Sequence, residues 1–186
     1  LQLQVNNNPL GYFKDDTQII KNVTLVEQEL AGIETFSIIL ETGIEGTFKK
    51  VRYLEEIEKL QNHIKETGLF DKSLSFNDYL KMIHLSMDEG EAETIDDLYL
   101  PNEDYLVREY LEFIDHDLFK AFVTDDYSRT RVLVRHAIYD SNELRLAITD
   151  LEDFIASNLD PALRVKITGS SIVSANGADY MAEGQG

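Results

Sequence analysis

The sequence predicts an α+β domain in which amphipathic helices cover a small sheet. Two short segments, residues 35–42 and the sequence RVKITGSS near the end of the chain, place apolar residues on alternate positions, with the period of a half-buried strand. Each of them follows a segment whose apolar residues recur every three or four positions, as they do along one face of a helix. This order favours helices layered on a sheet over a helical bundle or a sandwich of two sheets.

The first 33 residues predict an extended start followed by a helix. Residues 1–5 are expected to be extended, and Pro9 and Gly11 mark the loop that follows. A helix then begins near the capping side chains of residues 15–17 and ends at Gly32. The predicted apolar face of this helix consists of Ile19, Val23, Val26 and Leu30.

The next segment predicts a strand, a helix and a second strand. Residues 35–42 place Phe36, Ile38 and Leu40 on one face, as expected of a half-buried strand. A helix is predicted over residues 51–67, and a short strand over residues 69–74. The residues of this helix expected to face inward are Leu54, Ile57, Leu60 and Ile64.

The middle of the chain, residues 75–118, interrupts this order with two further helical patterns. One contains Tyr79, Leu80 and Ile83, and the other contains Leu106, Tyr110, Phe113 and Ile114. No part of this segment alternates with a period of two over a useful length, so an inserted helical lobe is predicted.

The last part of the chain predicts a second unit similar to the first. Strands are expected near residues 118–123 and 131–139, then a helix over residues 141–159, then a final strand containing Val165 and Ile167. The predicted inner face of that helix consists of Leu144, Ile148, Leu151 and Ile155. Two β-α-β units in one chain predict a ferredoxin-like split β-α-β fold, with residues 75–118 as the insertion.

Composition limits the function classes. The 186 residues include 35 acidic and only 17 basic side chains, which gives a formal net charge of −18. A chain this acidic repels phosphate backbones, so no nucleic-acid partner is expected. There is no cysteine, which excludes a thiolate metal site or a cysteine nucleophile. No apolar run approaches the roughly 20 residues that span a bilayer.

The termini suggest how the domain relates to a larger protein. The chain begins at Leu1 rather than methionine and ends in Gly184, Gln185 and Gly186, so we expect a piece of a longer protein. Residues 1–186 are interpreted as one domain. The Gly- and Ala-rich tail, residues 170–186, contributes few core side chains and is expected to lead towards a further element.

The order of these elements resembles the first extracytoplasmic loop of resistance-nodulation-division exporters, in particular the branch related to the mycobacterial membrane protein large family. The similar segments are NPLGYFKDD with TQIIKNVTLVEQELAG, then TFSIILETG, YLEEIEKLQNHIKETG and DLEDFIASNLDPALRVKITGSS. In that family the loop lies between the first two membrane helices. The resemblance therefore implies a membrane helix before Leu1 and another after the tail.

The resemblance implies a porter domain that guides hydrophobic or lipid-like substrates at the outer membrane surface. Its expected partners are the second porter loop and the membrane domain of the same transporter, together with a hydrophobic or amphiphilic small molecule or lipid. A homo-oligomer of the parent is also compatible with it. The proton-relay carboxylates of the family lie in membrane helices, so no residue here inherits that role, and neither a cofactor nor a catalytic residue is expected.

Three features of the sequence contain residue types that could form a site. The acidic run Asp88, Glu89, Glu91, Glu93, Asp96 and Asp97 offers oxygen ligands for calcium, but its spacing does not match an EF-hand and a solvated charge run is the competing interpretation. His116 lies between Asp115 and Asp117, yet adjacent residues on a helix point in different directions. His136 is expected to be a hydrogen-bonded residue at the edge of the core.

The aromatic residues of the helical lobe allow two interpretations. Tyr79, Tyr105, Tyr110 and Phe113 could line a hydrophobic cleft or form the small core of the lobe, and the core is favoured. No nucleophile elbow and no phosphate-binding glycine pattern occur, so an enzyme is not expected. Two other classes stay open: an extracytoplasmic sensor domain of a membrane receptor, and a cytosolic regulatory domain that binds a small metabolite.

Overall fold

The computed structural model describes residues 34–87 and 98–169 of the chain. The predicted helix ending at Gly32, the acidic run at 88–97 and the tail from residue 170 lie outside these ranges. The described strands are β1 (Glu34–Glu41), β2 (Lys72–Leu74), β3 (Arg129–His136) and β4 (Arg164–Thr168). The described helices are α1 (Val51–Thr67), α2 (Phe76–Met87), α3 (Asp104–Phe113) and α4 (Ser141–Asn158).

The four strands form one antiparallel sheet in the order β2-β3-β1-β4. Strand β3 lies between β1 and β2, the two strands joined through α1, and β1 lies between β3 and β4, the two strands joined through α4. Each β-α-β unit is therefore split by a strand of the other unit. This is a ferredoxin-like α+β fold with helices inserted between β2 and β3, as the sequence predicted.

Alternation along the two central strands places one face of the sheet in the core. Phe36, Ile38 and Leu40 of β1 are buried, while the residues between them are only partly buried. In β3, Val132 and Val134 are buried in the same way, and register pairs them with Ile38 and Phe36. These cross-strand pairs fix the register, because a slip of one residue would expose the whole apolar set.

Helix α1 covers this apolar face and has the bounds that the sequence predicted. Its buried apolar residues recur at the spacing of one helix face: Leu54, Ile57, Leu60 and Ile64. The helix ends at Gly68, whose φ of 62° lies in the left-handed region that glycine adopts without strain. The sequence KETG is therefore a true C-terminal signal.

Helix α4 is the second helix of the split pair. Its N-terminus is capped by Asp140, whose side chain accepts hydrogen bonds from the backbone N–H groups of Asn142 and Glu143 at 3.0 and 2.9 Å. Leu144, Ile148 and Leu151 are buried, as predicted, and Ile155 is partly buried. A hydrogen bond holds the segment after α4 against α1: Oε2 of Glu56, on α1, accepts a 2.7 Å hydrogen bond from the N–H of Asp160.

The inserted helices share their core with the rest of the domain. Phe76, the first residue of α2, is fully buried, and its ring centroid lies 5.1 Å from that of Phe119 and 6.0 Å from that of Tyr127. Helix α3 contacts α1 directly, since Oδ1 of Asp104 accepts a 2.8 Å hydrogen bond from the N–H of Val51 at the start of α1. The insertion is thus an extension of the main core.

The predicted strand at residues 118–123 was wrong. The chain there forms a 3-10 turn, His116–Leu118, followed by further turns and a single bridge between Val123 and Thr130. Phe119 and Phe122 are both buried although they are three residues apart. In a strand, residues three apart point to opposite faces, so turns allow both rings to reach the interior.

Among the residues that the structure describes, no helix is long and apolar enough to cross a membrane.

Candidate functional site

In the described part of the chain, a crevice of about 900 Å³ lies between α1, β2, the start of α2 and β3. Its size lies within the usual range for small-molecule sites, about 300–1,000 Å³. Helix α1 contributes Gln61 and Lys65 to the lining, β2 contributes Lys72 and Ser73, and β3 contributes Arg135. The split topology builds this site, because it places the short edge strand β2 beside β3 and below the end of α1.

The floor of the crevice is organised by a capping box at the start of α2. Oγ of Ser75 accepts a 3.1 Å hydrogen bond from the N–H of Asn77, and Oδ2 of Asp78 accepts a 2.7 Å bond from the N–H of Ser75. Gln61 on α1 completes the network: its Nε2 donates to Asp78 at 2.9 Å, and its Oε1 accepts from Ser75 Oγ at 2.8 Å. These bonds hold α1 and α2 together at the crevice.

Asp78 is a carboxyl group of the crevice whose proton affinity is shifted by its surroundings. Burial raises the pKa of Asp78 above its ordinary value of 3.8, while hydrogen bonds from Gln61 and Ser75 and the charge of Lys81 act in the opposite direction. The folded chain therefore binds this proton more tightly than the unfolded chain. It follows that Asp78 contributes less to stability as the pH rises from 3.8 through its folded pKa.

The outer wall of the crevice carries basic side chains. Lys72 and Arg135 are directly opposite each other in the β2-β3 register, and both line the crevice. Lys81 lies 2.5 Å from Oε1 of Glu58. Arg135 forms an ion pair with Asp71, with its Nε 3.6 Å from Oδ2, and this buried Nε makes no hydrogen bond in the described ranges.

This arrangement is suited to binding polar groups. Oγ of Ser73 is 3.3 Å from Nε2 of Gln61, an amide that cannot act as a base towards it. The lining supplies fixed charges, amide groups and an arginine donor, beside the apolar side chains of Phe70 and Leu98. Such a lining favours recognition of a polar or charged small molecule with a short apolar part.

A second, smaller groove of about 270 Å³ lies between α4 and the edge strand β4. Ile155, Leu159, Leu163, Val165 and Ile167 contribute to its lining, and all of them belong to or pack against the hydrophobic core. Among the described strands, β4 is bonded to β1 on one side and is the last strand of the sheet on the other. The groove therefore places apolar side chains next to a sheet edge, together with the carboxyl groups of Glu152 and Asp160.

Asp115, His116 and Asp117 do not converge on one point, as expected from the sequence. Asp115 caps the 3-10 turn by accepting a 3.0 Å hydrogen bond from the N–H of Asp117, whose own side chain pairs with Lys120 at 3.0 Å. Nδ1 of His116 lies 3.4 Å from Oδ1 of Asp125. Within residues 34–87 and 98–169, no group of three or more metal-ligating side chains comes together. The acidic run at 88–97, for which a solvated charge run competes with a calcium site, lies outside these ranges.

His136 is a core-edge residue, as predicted. It is fully buried at the end of β3, where its Nδ1 accepts a 3.3 Å hydrogen bond from the N–H of Ile138 and its ring lies 5.7 Å from that of Phe36.

The four aromatic residues of the insertion divide into two groups. Tyr79 and Tyr110 are buried, and Tyr110 Oη lies 2.8 Å from Nδ1 of His84. Tyr105 and Phe113 are exposed, at 56% and 73%. The core interpretation is therefore correct for the first pair and wrong for the second, because α3 buries only one face.

Sequence reasoning did not identify the basic wall of the crevice. Lys72 follows Asp71 in a segment interpreted only as a short strand, and Arg135 lies in β3 between buried residues. The alternation along β3 could have indicated part of it, because it puts Arg129, Arg131 and Arg135 on the face of the sheet opposite Val132 and Val134. The pairing of β2 with β3, which brings Lys72 beside Arg135, depends on the fold.

Comparison with models of known protein families and with curated proteins finds no match.

Proposed function

We propose that this chain is a porter domain of a proton-driven exporter of the resistance-nodulation-division type, lying outside the cytoplasm and guiding hydrophobic or amphiphilic substrates. The observation that carries the proposal is the sheet order β2-β3-β1-β4, in which two β-α-β units interleave with a helical insertion. That architecture is the one that the resemblance of NPLGYFKDD, TFSIILETG and the later segments implies.

Two surface features support the proposal. The groove between α4 and β4 offers apolar area beside a sheet edge, as a neighbouring domain or a hydrophobic substrate requires. The 900 Å³ crevice adds charged and amide groups that suit the polar end of an amphiphile. The proposed partners are the second porter loop and the membrane domain of the same protein.

The polar crevice also favours a second candidate, an extracytoplasmic ligand-binding domain of a membrane receptor. A sensor needs one concave polar site and no transport path, and the crevice alone meets that need. Both candidates place the domain outside the cytoplasm, whereas a cytosolic regulatory domain would not.

Labelling of a single cysteine tests the location. The chain has no cysteine, so Asp125→Cys introduces one thiol at a side chain that is 99% exposed. In the full-length parent, with any other cysteines replaced, we expect a membrane-impermeant maleimide to label this thiol in intact spheroplasts. The matched control is Ala147→Cys, a small change at a residue that is 5% exposed, which should react only after denaturation. Labelling of Asp125→Cys only after cell lysis would contradict the proposal.

A further inference from the structure

We propose that the outer edge of β4 binds an extended segment of another polypeptide as a fifth strand of the sheet, and that this segment alternates apolar and acidic residues. Its apolar side chains would lie in the groove between α4 and β4, and its acidic side chains beside Arg164 and Lys166 on the opposite face of the sheet. Such a strand could belong to a partner of a porter or of a receptor, so the inference does not rest on the exporter proposal.

The first argument is the outer edge of β4. Residues 164–168 pair in antiparallel register with residues 37–41 of β1, and no other described strand lies on the far side of β4. In an antiparallel pair the N–H and C=O groups of alternate residues bond to the neighbouring strand, and those of the residues between them point away from it. Water or an added strand satisfies such outward groups. The five residues include neither proline nor glycine, so the backbone stays regular for pairing.

The second argument is the apolar groove beside this edge. Val165 and Ile167 of β4 lie on the core side of the sheet, because register pairs them with buried residues of β1. Both are only partly buried, and both line the groove of about 270 Å³ together with Ile155 and Leu159 of the α4 side. In strand addition, backbone bonds supply affinity and pockets for alternate side chains supply specificity. The groove therefore favours apolar residues at every second position of the added strand.

Two carboxyl groups at the groove restrict acidic residues to the other face of the added strand. Glu152 and Asp160 both contribute to the groove lining. Asp160 is held in place, because it pairs with Arg52 and accepts a 2.9 Å hydrogen bond from the N–H of Ala162. An acidic side chain on the groove side would be repelled by these carboxylates.

The third argument is the charge on the open face of the sheet beside β4. Arg164 lies opposite Glu41 of β1, which in turn lies opposite Arg129 of β3. The Glu41 carboxylate serves both arginines: its Oε2 accepts a 2.7 Å hydrogen bond from Nε of Arg129, and its Oε1 lies 3.5 Å from Nη2 of Arg164. One negative charge is therefore shared by two positive charges in this row.

The next row of the same face contains no carboxylate. Lys166 lies opposite Ile39, and Ile39 lies opposite Arg131 of β3. Lys166 is exposed, so a carboxylate at the directly opposite position of an added strand can reach it. The two rows together carry four cations and one carboxylate, a formal sum of +3 in a chain whose net charge is −18. This part of the sheet edge therefore attracts an acidic strand.

The same charges act against pairing with a second copy of the chain. If β4 paired with its copy about Lys166, the middle residue of the strand, the two Lys166 side chains would lie directly opposite each other. Centred on Val165 instead, the pair would place Arg164 of each copy opposite Lys166 of the other. Lysine on an edge strand is a known device against edge-to-edge association. A strand with acidic residues at these positions removes the repulsion, so the charges select the partner.

The test is a titration of the purified chain with the peptide acetyl-VEIEVEV-amide, followed by nitrogen-15 NMR of the backbone amides at constant ionic strength. We expect the signals of β4 and of the groove residues on α4 to move and to saturate. Amide hydrogens of β4 that exchange rapidly in the free chain should exchange about tenfold more slowly with bound peptide, because they become bonded to it.

Peptide controls separate strand pairing from charge attraction. A peptide with lysine in place of glutamate should bind about tenfold more weakly, because each attraction becomes a repulsion. N-methylation removes N–H donors, and alternate donors of a strand point to the same side. Methylation of one alternate set should abolish binding, and methylation of the other set should not. Equal effects of the two methylated peptides would overturn strand addition.

Variants of the chain locate the site. Lys166→Glu should weaken binding of the acidic peptide about tenfold, and Lys120→Glu, the same change at a lysine 61% exposed outside the sheet, should leave it within about twofold. Ala156→Glu places a charged side chain in the groove and should weaken binding about tenfold. Ser157→Glu is its matched control on the neighbouring residue, which does not line the groove. All four side chains are exposed, so the fold is expected to persist.

Unmoved β4 signals with the acidic peptide, or equal losses of binding within either pair of variants, overturn the proposal. Slow exchange of every β4 amide in the free chain does so too, since the edge would then already be paired, by residues 170–186 or by a second copy. None of these results bears on the location of the domain, which the cysteine labelling tests separately.

Discussion

Replacing Phe76 by alanine is expected to lower the free energy of unfolding of the whole domain by about 3–5 kcal/mol. Phe76 is fully buried at the start of α2, and its ring packs edge-on against Phe119 at a centroid distance of 5.1 Å. The substitution removes this ring and leaves a cavity between the insertion and the segment that leads to β3. Urea unfolding followed by circular dichroism measures the change.

The form of the transition matters as much as its midpoint. Because Phe76 also approaches Tyr127, whose backbone carbonyl accepts a 3.0 Å hydrogen bond from Phe48, the insertion and the sheet should unfold together. Phe113→Ala is the matched control. It removes the same ring from a position that is 73% exposed, and it should change stability by less than about 0.5 kcal/mol. Two separate transitions in the Phe76 variant would show that the insertion is an independent lobe.

Gly169→Ala is expected to destabilise the domain by about 2–3 kcal/mol, through overpacking rather than through a cavity. A Cβ at residue 169 would lie 2.8 Å from Cβ of Phe36 and 3.0 Å from its Cα. Phe36 belongs to the central strand β1 and is fully buried, so neither its backbone nor its side chain can move aside cheaply. The edge strand β4 should separate from β1 at this end, and the midpoint of urea unfolding reports the loss.

Gly46→Ala separates this crowding from backbone strain. Gly46 has a φ of 72° and no atom within 4 Å of the position that a Cβ would occupy. Its substitution should cost only the strain of the left-handed conformation, about 1 kcal/mol. An effect of Gly169→Ala no larger than that of Gly46→Ala would contradict the close contact between β4 and β1.

Local periodicity predicted most of the fold. Helix α1 has the predicted bounds, 51–67, because its apolar spacing, its length and Gly68 all indicate the same segment. Helix α4 was predicted within one residue, and the alternation of Phe36, Ile38 and Leu40 identified the buried face of β1. The interleaved sheet order followed from recognising two β-α-β units rather than from any one segment.

The error at residues 118–123 has a physical origin. Phe119, Phe122 and Val123 form a short apolar cluster that fits the composition of a strand, but their burial depends on turns that bring α2 next to β3. Short apolar runs do not distinguish these cases, since periodicity needs length. The tertiary contacts of Phe76 with Phe119 decide the outcome, and a local pattern does not contain them.

The candidate site was predictable only in part. The capping box at Ser75 and Asp78 is readable in SFND, because a hydroxyl followed three residues later by an acid marks a helix start. The basic wall was not predictable, since Lys72 and Arg135 are 63 positions apart and meet only because β2 pairs with β3. A charged residue on a strand usually faces solvent, so the sequence offered no reason to place Arg135 in a site.

The most direct measurement of the central proposal is the export of an amphiphilic dye by cells that contain the full-length parent gene. Cells with the gene and cells from which it is deleted are loaded with the dye, and its retention is followed with and without a protonophore. The account predicts greater retention in the deletion strain, restoration by the intact gene, and loss of the difference when the proton gradient is collapsed. Equal retention in both strains before the protonophore is added would contradict the exporter assignment.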